Sequence, residues 1–234
     1  PVSGVVTATD NCSIPMVSAS VDVITPGSCS GSYVITRTWT ATDQCGNSAS
    51  ASQIITVSDY IAPVLSGIPF NTTVQCNAIP SAAIGITATD NCDVNPVITL
   101  NETIIPGSCP STYTLVRTWT AIDSCGNSSS ESQTINVVDN TPPVIACSVS
   151  QTFCQVAGNN YTIPILTAND NCSGTLNSTF NITGSTIRNG SGNDASGLFN
   201  IGISTIVWTV IDACGNTSNC SVIVTVNAMP SAPI

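Results

Sequence analysis

The feature that most constrains this chain is a step of 80 residues. Asp10-Asn11-Cys12 returns as Asp90-Asn91-Cys92 and again as Asp170-Asn171-Cys172. Cys29 recurs as Cys109, Trp39 as Trp119, and Asp43-Gln44-Cys45-Gly46-Asn47 as Asp123-Ser124-Cys125-Gly126-Asn127. A third copy of the last motif, Asp212-Ala213-Cys214-Gly215-Asn216, arrives nine residues late. A fixed period of this length means a tandem array of one small unit, and arrays serve reach and avidity more often than chemistry.

The repeat predicts domains at 1–60 (partial, lacking its first strand), 61–140 (complete) and 141–228, the last with an insertion near 188–197. Residues 229–234 open the linker to a further domain. Pro1 corresponds to Ser81, so the first unit lacks the counterpart of residues 61–80, and the absence of a signal peptide marks a mature chain or a fragment.

Strand signals in the middle unit are short and alternating: Asn71–Cys76, Ala83–Thr89, Val97–Thr103, Tyr113–Ile122 and Ser132–Val138, with Pro106-Gly107 and Gly126-Asn127 as turns. No segment has helical periodicity of useful length. The expected fold is all-β: tandem immunoglobulin-like antiparallel β-sandwiches in an extended, disulfide-bonded array. On the penultimate strand Tyr113, Leu115, Arg117 and Trp119 share a face, as do Tyr33, Ile35, Arg37 and Trp39. Arg stacked on Trp at an exposed face is one reading; the favoured one has Trp as core and Arg at the rim of the sheet, and Ile206, where Arg would stand in the third unit, is consistent with an inward position.

Composition narrows the function. Hydrophobic residues make up 42%, enough for a core in each unit, while charged residues are only 7%. Thirteen acids face three arginines, giving a net charge of −10, with no lysine and no histidine. Such a chain has no basic patch for nucleic acid, and lacks the commonest general base. Without lysine, Lys–Asn isopeptide cross-links are excluded. Without histidine, Ser-His-Asp and Cys-His arrangements are impossible, and recurring carboxylates at junction loops suit structure better than glycoside hydrolysis. No apolar stretch approaches 18 residues, so no membrane span is expected in this window. The chain reads as no enzyme.

Twelve cysteines at repeating positions, with no Cys-x-x-Cys pair, read as disulfides in an oxidising, extracellular setting rather than zinc ligands. Four cysteines per unit allow three connectivities. With each unit's first strand running away from its top end, the topology favours Cys92–Cys125 at the top and Cys76–Cys109 at the bottom. By repetition Cys12–Cys45 and Cys172–Cys214 pair too, and the third unit adds Cys147–Cys220. Cys29 and Cys154 remain unpaired in this window.

Eight of the thirteen acids occupy three motif positions: Asp10, Asp90, Asp170; Asp43, Asp123, Asp212; and Asp59, Asp139. The topology gathers Asp59, Asp90, Asp123 and Asn127 at one junction, and Asp139, Asp170, Asp212 and Asn216 at the next. Clustered carboxylates repel unless a cation neutralises them, and hard oxygen ligands suit calcium, the one candidate cofactor. The alternative is that these residues form Asx-turns that satisfy strand-end amides. Asn227–Pro230 lacks the linker acid, so no comparable site is expected there. Asn-x-Ser/Thr sequons occur at Asn71, Asn101, Asn127, Asn177, Asn181 and elsewhere, and matter only in a host that glycosylates them.

Several runs resemble the hyalin-repeat (HYR) family and related repeats of large secreted Bacteroidota adhesins, including gliding-motility adhesins. They are Thr87-Ala88-Thr89-Asp90-Asn91-Cys92, Arg117-Thr118-Trp119-Thr120-Ala121-Ile122-Asp123, Cys125-Gly126-Asn127 and Val138-Asp139-Asn140-Thr141-Pro142-Pro143-Val144. The third unit is nearest the pattern, with Gly197-Leu198-Phe199-Asn200-Ile201-Gly202, Trp208-Thr209-Val210-Ile211-Asp212 and Cys220 after Gly215-Asn216. The resemblance spans the chain and implies an immunoglobulin-like fold and extracellular adhesion, with no catalytic site. Cys154 and the missing Cys109 counterpart depart from the four-cysteine pattern.

The functional expectation is a non-catalytic stalk or adhesive segment of a large extracellular bacterial surface protein. Each unit adds roughly 30–40 Å. Two alternatives are a subunit of a self-assembling filament or sheath, with the missing strand supplied in trans, and spacer domains of a secreted enzyme. Expected partners are neighbouring repeats, surface glycans or further copies of the chain.

Overall fold

The computed structural model describes residues 5–230, and every element in it is a strand. The first repeat contains β1 (Met16–Val17), β2 (Val21–Pro26), β3 (Tyr33–Thr42) and β4 (Ser48–Val57). The second contains β5 (Val64–Ser66), β6 (Thr72–Gln75), β7 (Thr87–Thr89), β8 (Val97–Pro106), β9 (Tyr113–Ile122) and β10 (Ser128–Val138). The third opens with β11 (Val144–Ala146), β12 (Gln151–Cys154), β13 (Asn160–Tyr161), β14 (Thr167–Asn169) and β15 (Asn177–Gly184). It closes with β16 (Arg188–Ser191), β17 (Gly197–Leu198), β18 (Gly202–Ile211) and β19 (Thr217–Asn227).

These are immunoglobulin-like sheets. In the second repeat the order is β6-β10-β9-β8, and in the third β12-β19-β18-β15-β16. The long hairpins are antiparallel, whereas β6 runs parallel to β10 and β12 parallel to β19. Two-stranded sheets β5-β7 and β11-β14 form where each linker enters the next repeat. By compactness the chain divides into two units. One takes residues up to Pro69 with Ala83–Asn101 and Thr118–Ser132, the other Phe70–Ala82, Glu102–Arg117 and Gln133 onward. Each unit thus holds one junction between successive repeats.

Period-2 alternation decides what is buried. On β9 the inward set is Leu115, Arg117, Trp119 and Ala121; on β18 it is Ser204, Ile206, Trp208 and Val210. Trp208 sits edge-on to Phe180 with ring centroids 5.1 Å apart, a favourable aromatic geometry. The insertion near 188–197 is structured. It forms β16 and brings Ala195 into the core, while the Arg188 guanidinium lies 5.4 Å from the centroid of the Phe199 ring. In the first repeat the counterparts Ile35, Trp39, Ile55 and Val57 are only half-buried.

Arg117 corrects the expectation of a rim position. It is buried, pairs with Glu102 at 2.7 Å, and donates to the carbonyls of Ser81 (3.1 Å) and Pro80 (2.9 Å). Its first-repeat counterpart, Arg37, makes a solvent-accessible pair with Asp22 instead. Arg117→Ala strands two carbonyls and is expected to cost about 2–4 kcal/mol. Arg37→Ala should change stability far less, since exposed pairs contribute little. Chemical denaturation of the two variants checks this, and equal losses would remove the distinction.

The disulfides correct most of the expected pairing. Cys29 bonds Cys125, Cys76 bonds Cys172 and Cys109 bonds Cys214, with Cα separations of 5.0, 5.7 and 5.2 Å. Cys76–Cys109, Cys92–Cys125, Cys172–Cys214 and Cys12–Cys45 are not formed. Cys147–Cys220 is present, Cys29 is not left over, and Cys12, Cys45, Cys92 and Cys154 are free. The reason is axial placement. Linkers are short, so the lower loops of one repeat rest on the upper loops of the next. Ser30 Oγ donates to the Cys92 carbonyl (2.7 Å) and Ser111 Oγ to that of Cys172 (2.9 Å). Lower cysteines therefore meet upper cysteines of the following repeat before they meet each other, within the Cα reach a bridge requires.

Candidate metal centre

Each Asp-x-Cys-Gly-Asn motif folds into the turn between the last two long strands. Asp123 Oδ1 accepts from the amides of Cys125 (2.9 Å) and Asn127 (2.8 Å), and Oδ2 accepts from Asn127 Nδ2 (2.8 Å). Asp43 and Asp212 repeat this pattern with Asn47 and Asn216. Gly126 closes the turn at φ +90°, in the left-handed region that disfavours a side chain. These Asp residues are Asx-turn formers, as the alternative reading of the motif anticipated.

Their electrostatics follow. For Asp123 and Asp212 burial is the largest single influence and pushes the pKa up, but the Asn side chain and backbone amides outweigh it and hold the carboxyl below its usual value. Asp43 is lowered chiefly by Asn47. A carboxyl depressed in the folded state stabilises the fold above its ordinary value near 3.8, and that contribution is lost as pH falls through the lowered value. The side-chain resonances of Asn127 and Asn216 should therefore titrate below pH 3.8. A midpoint above that value contradicts the turn electrostatics.

The other two classes are arranged differently. Asp90 Oδ1 accepts from the amides of Cys92 and Asp93 (2.9 Å each), and Asp170 Oδ1 from those of Cys172 (2.8 Å) and Ser173 (2.7 Å). Asp59 Oδ1 accepts from Ile61 N at 3.1 Å, and Asp139 Oδ1 from Thr141 N at 3.4 Å. In all four the Oδ2 atom is buried with no hydrogen-bond partner. Asp59 and Asp139 are only 8% and 7% exposed. A buried carboxylate oxygen without a partner is costly.

These oxygens converge. One carboxylate oxygen each from Asp59, Asp90 and Asp123 lies within 4.8 Å of the others. At the next junction the group within 4.8 Å is Asp139, Asp170 and the Cys172 sulfur, while Asp212 stands outside it. That sulfur is committed to Cys76 and offers no thiolate. Asp139 is pushed above its usual value, first by burial and then by the charges of Asp170 and Asp212, against one amide hydrogen bond from Thr141. Asn127 and Asn216 act as clamps, each turning its Nδ2 toward the linker carbonyl of Asp59 or Asp139 at 3.2 Å.

The donor set fits a hard divalent cation. At the first junction it is all oxygen and triply acidic, at the second two carboxylates stand beside a bridged sulfur, and each supplies two unpartnered oxygens. Calcium takes six to eight oxygens, so backbone carbonyls and water would complete the sphere. The sequence motifs located the acids. The role of Asn as clamp had no sequence signal, because it depends on how the linker lies across the turn.

No protein-family profile matches the chain. It is similar to hyalin of Strongylocentrotus purpuratus, with 30% identity over 213 residues, covering 85% of this chain and 16% of hyalin. Solved structures with detectable likeness include protocadherin gammaB7 EC3–6, a cis-dimer structure, at 18% identity and TM-score 0.38, covering 84% of this chain and 58% of that one. Protocadherin gamma B7 domains 1–4 match at 14% identity and TM-score 0.41, covering 92% and 67%. Drosophila N-cadherin EC1–3 matches at 14% identity and TM-score 0.35, covering 84% and 78%.

Proposed function

We propose that this chain is a load-bearing stalk and attachment segment of a large extracellular surface protein, with calcium seated at the joints between repeats. The observation that carries the reading is the interlocked set of bridges. Three of them tie a lower cysteine of one repeat to an upper cysteine of the next, and the fourth, Cys147–Cys220, overlaps them in sequence. Disulfides of this density belong to an oxidising compartment. Similarity to hyalin over most of the chain supports an adhesive repeat protein outside the cell. The motif resemblance to Bacteroidota adhesins supports a bacterial surface as its setting. Nothing in the acid clusters is built for turnover, since their free oxygens are buried between loops.

Stretching the chain by its ends tests the proposal. With all bridges closed, the covalent path from Cys29 to Cys220 shortens to the stretch between Cys125 and Cys147 plus two bridges. At ~3.6 Å per residue, the bridges withhold about 600 Å of contour length. Single-molecule pulling should show that length released only after reduction. The same unfolded length before and after reduction would end the load-bearing reading.

A further inference from the structure

We infer that the upper end of the first repeat is a binding site for an extended acidic linker peptide of the Asp-x-x-x-Pro-Val type. The inference rests on the tandem reading of the chain and adds a ligand to it. Two joints show how such a linker is held. Asp59 lends its carboxylate to the cluster with Asp90 and Asp123, Pro63 is fully buried, and Ser129 Oγ donates to the Pro63 carbonyl. Val64–Ser66 then pairs antiparallel with Thr87–Thr89. At the next joint Asp139 and Val144–Ala146 take the same places, the latter pairing with Thr167–Asn169.

The first repeat carries the receiving half of this arrangement. Thr9, Asp10, Asp43, Asn47 and Ala49 stand where Thr89, Asp90, Asp123, Asn127 and Ser129 stand one repeat later. They line a cavity of about 240 Å³, ample for a proline ring and its flanking backbone. Asn47 Nδ2 donates to Asp43 Oδ2 at 2.8 Å, whereas its counterparts Asn127 and Asn216 also donate to the linker carbonyl. Thr7–Thr9 is not a strand, although Thr87–Thr89 and Thr167–Asn169 are. Cys12 and Cys45 lie at the same end as free thiols, and three of their four later counterparts are bridged to a preceding repeat.

Both acid-bearing linkers of the chain, Asp59–Val64 and Asp139–Val144, are seated at their own joints. The remaining candidate, Asn227–Pro230, has no acid to complete a cluster with Asp10 and Asp43. A second copy of the chain therefore has no suitable linker to lend.

The test uses the 234-residue chain and a synthetic peptide with the sequence of residues 57–66, titrated with calcium and with chelator. The expected result is saturable one-to-one binding that shifts the amide resonances of Thr9, Asn47 and Ala49. Binding should be about tenfold weaker in chelator, and about tenfold weaker for the peptide carrying Asp59→Asn, because cation affinity follows ligand charge. Asn47→Ala in the chain should weaken binding while leaving the resonances of the third repeat unchanged. No saturable binding up to about 1 mM peptide overturns the inference. So does concentration-dependent dimerisation that shifts the same three resonances, which would make a second copy the occupant. Failure here leaves the contour length measured by pulling untouched, so the two readings fall separately.

Discussion

Replacing Cys76 and Cys172 together by serine should lower the stability of the chain by about 4–5 kcal/mol. The bridge closes a sequence separation of 96 residues. In the chain-entropy treatment a loop of that size restricts the unfolded ensemble by about 4.7 kcal/mol. Cys109→Ser with Cys214→Ser should cost a similar amount, since its separation is 105. The serine pair Cys12→Ser and Cys45→Ser is the control, because both thiols are free and exposed. Denaturant midpoints under oxidising conditions give the comparison. Non-reducing peptide mapping gives the connectivity directly, and recovery of a Cys76–Cys109 peptide would restore pairing within repeats and withdraw the interlocked stalk.

Calcium should raise the melting temperature, and Asp139→Asn should invert its own effect between calcium and chelator. In chelator, burial and the charges of Asp170 and Asp212 disfavour the charged form of Asp139. A carboxyl whose folded pKa is raised binds its proton more tightly in the folded state. The resulting penalty grows as pH rises from the ordinary value near 3.8 through the raised one, and is full at neutral pH. Asp139→Asn removes that penalty, so the variant should melt higher than the parent without calcium. With calcium the parent gains about 2.7 kcal/mol at a concentration one hundred times its dissociation constant. The variant, short of one oxygen anion, should gain much less and melt lower than the parent. Thermal unfolding at neutral pH in both conditions decides it. If the order of parent and variant does not cross, these carboxylates hold no cation.

Much of the fold was legible in the residues. Alternation of Leu and Trp with Thr placed β9, because a half-buried strand repeats every two residues. Ile206, standing where Arg117 stands one repeat earlier, pointed to an inward position. The structure buries both, yet only the contacts with Glu102, Ser81 and Pro80 explain how a charge sits there. The three Asp classes were also legible, since each recurs at a motif position beside a turn. Their division of labour was not. Asp123 spends both oxygens on its own turn, whereas Asp59 and Asp90 each keep one free.

By itself the sequence determined the 80-residue step, the strands and the turns, because these are set by local alternation and by residues such as Gly126 that permit a local backbone. The tertiary structure alone decided the joints. Whether Cys76 meets Cys109 beside it or Cys172 beyond it depends on how closely a short linker seats one repeat on the next. A disulfide forms only where that seating brings the two Cα atoms to within about 7 Å.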